Sequence, residues 1–167
     1  PIGSTVLTGG VMACVSAFFT TDEYLFVKGL YDAGCQNYFD AIGWHWYSVD
    51  AGFVNEPPSA TQLFYLELLK CRDLMVAKGD SAKKIWITEC GIPFPDASVT
   101  LTQARDRLKV MLELLLGNAW IDKVFIYNYR NSGTNLTDGN NVFGAVDFNF
   151  VKKQPIWDYL KTLRGGL

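Results

Sequence analysis

The sequence predicts an α/β protein assembled from parallel β/α units. Four short apolar runs alternate with longer amphipathic segments, the pattern of a parallel sheet with helices packed on it. With 167 residues, 49% of them hydrophobic and 19% charged, the chain has ample material for a core. No linker, low-complexity block or repeat interrupts the alternation, so residues 1–167 read as one piece made of four β/α units.

The first strand is expected near Ser4–Ala13, followed by a helix from about Asp22 to Ala33 that Thr20 or Thr21 caps and Gly34 ends. The second strand is Phe39–Ser48. A Pro-rich loop then leads to a long helix, roughly Thr61–Ala77, with Leu63, Leu66, Leu69 and Leu74 among its apolar positions and Gly79 at its end. The third strand is Lys84–Thr88: Ile85, Trp86 and Ile87 form the apolar run, Thr88 and Glu89 fall at its carboxyl end, and Gly91, Pro93 and Pro95 turn the chain into a loop. Thr100-x-x-Gln103 has the spacing of a capping box and opens a helix to about Leu116, which Gly117-Asn118 stops. The fourth strand is Lys123–Tyr129. After a loop rich in Asn and Gly, Pro155 sits in the first turn of a closing helix through Leu163.

Composition narrows the partners. A net charge of −2 with scattered Lys and Arg gives no basic footprint, which argues against nucleic acid and anionic membrane surfaces and for a neutral or small-molecule ligand. The apolar stretches are shorter than the ~18 residues of a membrane span, and no charged-then-apolar leader opens the chain. Beginning at Pro1 without methionine, it reads as a processed chain or a piece of something longer. Cys14, Cys35, Cys71 and Cys90 lie far apart without C-x-x-C spacing, and a single histidine leaves almost no ligands for zinc, so no metal is expected. Cys14, Cys35 and Cys71 sit in apolar or helical contexts suited to buried free thiols, with one disulfide left open. Asn135-Leu136-Thr137 fits a glycosylation sequon, a triplet that says nothing without a secretory route.

Two segments point to chemistry. One is the strand end that presents Glu89 before a glycine; a lone glutamate there is ordinarily a solvated loop acid, but this is also where an α/β barrel enzyme keeps its reactive groups. The other is Gly43-Trp44-His45-Trp46-Tyr47, which sets the only histidine of the chain between two tryptophans at a strand's carboxyl end. Sugar rings offer C–H faces that stack on indoles and hydroxyls that need fixed polar partners, so Trp44 or Trp46 with His45 and Tyr47 is a candidate sugar-binding wall. Alternation along a strand puts His45 and Tyr47 on one face and the two tryptophans on the other, and simple core packing is the competing explanation.

In these segments the chain resembles the C-terminal half of a clan A glycoside hydrolase, a retaining (β/α)8 barrel, with the flavour of the family 39 xylosidase and iduronidase group. Val6-Leu7-Thr8-Gly9-Gly10 is similar to the clan's glycine-rich fifth strand, and Phe39 through Tyr47 to its sixth-strand "D-x-x-x-x-H-x-Y" pattern. Trp86-Ile87-Thr88-Glu89-Cys90-Gly91 resembles the seventh-strand "T-E-x-G" that bears the nucleophile. Val124 through Asn131, then Phe143-Gly144-Ala145-Val146-Asp147 and Lys153-Gln154-Pro155, resemble the eighth strand and the "F-G-L-x-D … K-P" run after it. The four matches fall in order at barrel spacing and cover nearly all of the chain.

The resemblance implies that Glu89 is the nucleophile of a double-displacement reaction, with His45 and Tyr47 beside it and Trp46, Tyr127 and Arg130 among the groups that contact substrate. It implies no metal and no organic cofactor. The chain departs from the pattern at Ile126, where many relatives place a sugar-stacking Trp, and at Asn131, where Asp is common. A retaining glycosidase also needs a general acid/base roughly 5–5.5 Å from the nucleophile, which the clan keeps on strand four, and that strand is missing. Asn55-Glu56-Pro57 copies the clan's Asn-Glu-Pro in letters, but in a Pro-rich loop, and reads as a decoy. Asp50, Asp138 and Asp147 lie in other loops, and no spacing singles one out.

Four parallel strands cannot close a barrel and leave two unpaired edges. The expected partners are therefore a carbohydrate substrate and a complementary half-barrel from the same polypeptide or another chain. A secreted, cell-surface or virion-associated setting is favoured over a cytoplasmic one. Two rivals stay open: a non-catalytic carbohydrate-binding or structural component built on the same scaffold, and an unrelated doubly wound α/β domain in which Glu89 is an ordinary loop acid.

Overall fold

The computed structural model describes residues 4–13, 23–47, 59–93 and 100–163. These form four strands and four α-helices in alternation: β1 (Val11–Ala13), α1 (Glu23–Asp32), β2 (Ala41–Tyr47), α2 (Ser59–Ala77), β3 (Lys84–Gly91), α3 (Leu101–Leu116), β4 (Ile121–Ile126) and α4 (Ile156–Thr162). The strands make one sheet in chain order, β1-β2-β3-β4. β1 and β2 run parallel, with Val11 opposite Trp44, Met12 opposite His45 and Ala13 opposite Trp46. This is the strand-helix alternation the sequence predicts.

The first strand is shorter than expected because it contains an irregularity. A parallel bridge joins Leu7 to Ala41, and regular pairing resumes at Val11 with Trp44. One side therefore advances four residues (7 to 11) while the other advances three (41 to 44). Such an extra residue is a β-bulge, a device that re-aims side chains near functional sites. Gly9 and Gly10 absorb it. A Cβ on Gly10 would overlap the imidazole of His45, so the bulge brings bare backbone against that ring.

The chain folds as two compact units. Among the described residues the first comprises 4–13, 23–47, 59–90 and 118–125. Its core consists of Val27 and Tyr31 on α1, Ile42, Trp44 and Trp46 on β2, Leu68, Cys71 and Met75 on α2, and Ile85 and Ile87 on β3. On α2 the buried positions follow helical spacing through Leu68, Cys71 and Met75, not through the expected leucines. Leu66 is exposed, Leu69 and Leu74 are half-buried, and the side chain of Leu63 lies outside the described set. In a helix with apolar residues all around, counting leucines misplaces the face. The end of α2 is as expected: Gly79 adopts φ +87°, its N–H bonds Val76 O (3.0 Å) and the Asp80 N–H bonds Met75 O (2.8 Å). That is a Schellman closure, which needs a residue at ease in the left-handed region.

Among the described residues the second unit comprises 91–93, 100–117 and 126–163. Thr100 and Gln103 form the predicted capping box of α3: Gln103 N–H donates to Thr100 Oγ1 (3.2 Å) and Thr100 N–H to Gln103 Oε1 (2.9 Å). One stripe of α3 (Ala104, Leu108, Met111, Leu112, Leu115) is buried, as are Val142, Ala145, Val146 and Ile156 of the same unit. Gly117 follows α3 as expected, and Pro155 immediately precedes α4.

Two strand ends differ from the sequence reading. β3 runs on to Gly91, so Glu89 lies inside the strand and not after it. β4 spans Ile121–Ile126, starting earlier because Ile85 N–H already bonds Trp120 O (3.0 Å). Beyond it the apolar pattern of residues 127–129 continues, but the backbone changes partner: Ala145 N–H bonds Asn128 O (3.1 Å), Val146 N–H bonds Tyr129 O (3.0 Å) and Asn131 N–H bonds Val146 O (3.1 Å). The expected caps Thr20 and Thr21, as well as Asp22, Cys14, Ser48, Asp50, Asn55-Glu56-Pro57 and Pro95, lie outside the described residues. No helix among the described residues is long and apolar enough to cross a membrane.

Candidate active site

The site is built on the carboxyl-terminal ends of two neighbouring strands. Alternation along β2 buries Trp44 and Trp46 completely and leaves His45 and Tyr47 half-buried on the opposite face. On β3, Glu89 reaches the same place. The phenol of Tyr47 donates a hydrogen bond to Glu89 Oε2, and His45 Nδ1 lies 3.7 Å from the same oxygen, an ion-pair distance when the imidazole is protonated. The His45 and Tyr47 rings meet edge to face at 6.5 Å. With 39% of its side-chain surface exposed, Glu89 is accessible to a ligand while one oxygen is held from the protein side.

Trp46 is a correction. It has no exposed surface and stacks on Tyr65 of α2 at 6.4 Å with 24° between the rings. Any additional protein covering this unit buries more surface, never less, so Trp46 belongs to the core and not to a sugar-binding wall. Trp44 is buried in the same way.

Tyr127 and Arg130 belong to the second unit. Tyr127 packs edge to face on Phe143 at 5.7 Å. Gly91 lets the backbone of residue 127 come close: a Cβ there would collide with the Tyr127 carbonyl oxygen. Arg130 is held by three groups: its Nε–H donates to Phe148 O (2.9 Å), and its guanidinium stands 4.3 Å from the ring centres of both Phe148 and Phe150.

Sequence reasoning missed a buried pair next to these residues. Asn131 and Lys153 are both buried, and Lys153 Nζ donates to Asn131 Oδ1 (2.7 Å) and Val142 O (3.0 Å). Asn131 Oδ1 also accepts from Gly144 N–H (3.1 Å). Burial pulls the Lys153 ammonium down to about 8, and Asp147 opposes that shift only in part. The departure from Asp at position 131 was the available signal: a neutral amide hydrogen-bonds the amine without compensating its charge.

Among the described residues no three His, Cys, Asp or Glu side chains come together as a metal site. Cys35, Cys71 and Cys90 are free, and burial pushes the Cys71 and Cys90 thiols up to about 12, which leaves them unreactive.

No family model matches the chain, and no curated protein sequence is significantly similar to it. Solved structures do resemble it. A family 39 glycoside hydrolase from Bacteroides cellulosilyticus WH2 superposes with a TM-score of 0.61 at 19% identity, over 83% of this chain and 30% of that one. The β-D-glucuronidase of Dictyoglomus thermophilum gives 0.55 at 16% identity, over 78% and 23%. The β-glucuronidase of Ruminococcus gnavus gives 0.58 at 15% identity, again over 78% and 23%. The chain thus spans about a quarter of the length of these structures. At such identities the likeness is one of fold: the chain is a set of β/α units with the architecture of part of a (β/α)8 barrel.

Proposed function

We propose that this chain is the C-terminal half of a retaining glycosidase in which Glu89 is the nucleophile. The observation that carries this reading is the pairing of Glu89 with Tyr47 and His45 at adjacent strand ends. A carboxylate whose one oxygen accepts from a phenol keeps the other for attack on an anomeric carbon, and the bond holds it in position. The glycosyl-enzyme ester then forms as the leaving oxygen takes a proton from a general acid, and water activated by the same group as base cleaves the ester. That second acid belongs to strand four of the complementary half-barrel, supplied by the same polypeptide or by another chain. Tyr127 and Arg130 are proposed sugar contacts on the strength of the sequence resemblance. The substrate is a glycoside or polysaccharide, no cofactor is needed, and a secreted, cell-surface or virion-associated setting suits such a substrate.

The test is trapping. The complete native assembly is exposed to a panel of 2-deoxy-2-fluoroglycosides and its intact mass and peptide map are read. An adduct on Glu89 identifies nucleophile, mechanism and sugar class together. A complete barrel that forms no adduct with any sugar in the panel, or forms it on another residue, overturns the assignment.

A further inference from the structure

Asn135-Leu136-Thr137 is the only Asn-x-Ser/Thr triplet in the chain with a residue other than proline at its centre. The triplet is on the surface. All three of its residues are exposed, in the loop between Asn131 and the short 3-10 turn Gly139–Asn141. The loop is shaped by its own hydrogen bonds. Ser132 N–H bonds Asn141 O (3.1 Å), Asp138 N–H bonds Asn135 O (3.4 Å) and Asn141 Nδ2 donates to Asp138 Oδ2 (3.2 Å).

Within that frame the side chain of Asn135 has a defined orientation. Its Oδ1 accepts from both the backbone N–H of Thr137 (3.1 Å) and the Thr137 hydroxyl (2.8 Å). A backbone N–H can only donate, so the atom facing Thr137 is the oxygen, and the NH2 group is the end turned away from it. Among the described residues Nδ2 has no hydrogen-bond partner. Hydroxyl and amide donation to the carbonyl oxygen draws electron density from the amide nitrogen and eases loss of one of its protons. The threonine two residues on therefore acts directly on the asparagine that carries the reactive nitrogen.

We propose that Asn135 is an N-glycan acceptor. The donor class is an oligosaccharide linked through its anomeric carbon to a lipid diphosphate. Nδ2 attacks that carbon, the C–N bond forms as the C–O bond to the diphosphate breaks, the lipid diphosphate departs, and one amide proton is lost to a base on the transferase. No oxidant or reductant enters. The site does not depend on any role of Glu89; it rests on the secretory setting proposed above.

The test expresses the full chain behind a secretory leader in a eukaryotic host, with a known sequon in a C-terminal tag to report that the chain met the transferase. The expected result is one glycan on the peptide containing Asn135, released by peptide N-glycosidase in heavy-oxygen water with conversion of that residue to labelled aspartate. Asn135→Gln and Thr137→Ala lose the modification, and Thr137→Ser retains it. A secreted protein glycosylated on the tag and unmodified at Asn135 overturns the proposal, as does modification that survives Thr137→Ala.

Discussion

The hydroxyl of Tyr47 and the carboxylate of Glu89 share a hydrogen bond across 42 residues of sequence. Each side chain lies near the carboxyl end of a different strand, and the bond exists only because β2 and β3 are neighbours in the sheet. Tyr47→Phe removes the donor and keeps the ring. A hydrogen bond to a charged acceptor contributes about 1.5–3 kcal/mol, so under the proposed mechanism glycosyl-enzyme formation should slow roughly ten- to a hundredfold. Single-turnover trapping with a fluoroglycoside measures it; an unchanged rate removes Tyr47 from the reaction.

Gly10 places its backbone against the His45 imidazole. Gly10→Ala forces that ring to move, and misplacing a group in an active site by about 1 Å costs up to a hundredfold in rate. Gly9→Ala is the control, because nothing lies within 4 Å of a Cβ at that position. Trapping rates should fall for the first variant and not for the second, with both melting cooperatively.

Trp46→Ala separates core from binding wall. Removing a large buried aromatic side chain destabilises by about 3–5 kcal/mol, and here the loss includes the stack on Tyr65. Denaturant unfolding should show that drop, while sugar affinity of the folded protein stays level. The reverse pattern would return Trp46 to the ligand.

Lys153 gives stability a pH signature. Its amine titrates near 8 in the folded chain against 10.5 for an ordinary lysine. Between those values the unfolded chain binds more protons than the folded one, so this group's contribution to stability rises as pH rises. Below about pH 8 the buried ammonium bears the full desolvation cost. Urea unfolding from pH 7 to 10.5 should show wild type gaining on Lys153→Met across that window. Asn131→Asp, which sets a carboxylate against the ammonium, should move the window upward. Parallel curves for wild type and Lys153→Met would contradict the burial of the amine.

Local chemistry was legible in the sequence where a few adjacent residues decide the outcome. The capping box at Thr100 and Gln103 and the left-handed closure at Gly79 needed no knowledge of the rest of the fold. The order of strands and helices also followed from periodicity alone. What escaped depended on distant partners. β4 ends at Ile126 because residues 128–131 pair with 145–146, a choice invisible in an apolar run that continues to Tyr129. α2 buries Leu68, Cys71 and Met75 because the sheet selects one face of a helix that is apolar on several. The burial of Lys153 depends on Asn131, 22 residues earlier in the chain. At the site, alternation already grouped His45 with Tyr47, and the strand pairing added Glu89 to them.

The alternation of β2 has an evolutionary consequence. Positions 42, 44 and 46 are sealed in the core, while 45 and 47 stand at the carboxylate. Under the proposed function, selection for folding and selection for turnover act on interleaved residues of one short strand. A deep mutational scan across 41–47 should show two out-of-phase rhythms, protein abundance collapsing at the even positions and catalytic output at 45 and 47. Under the proposed function both sets are constrained, the first by folding and the second by the need to hold Glu89 in place.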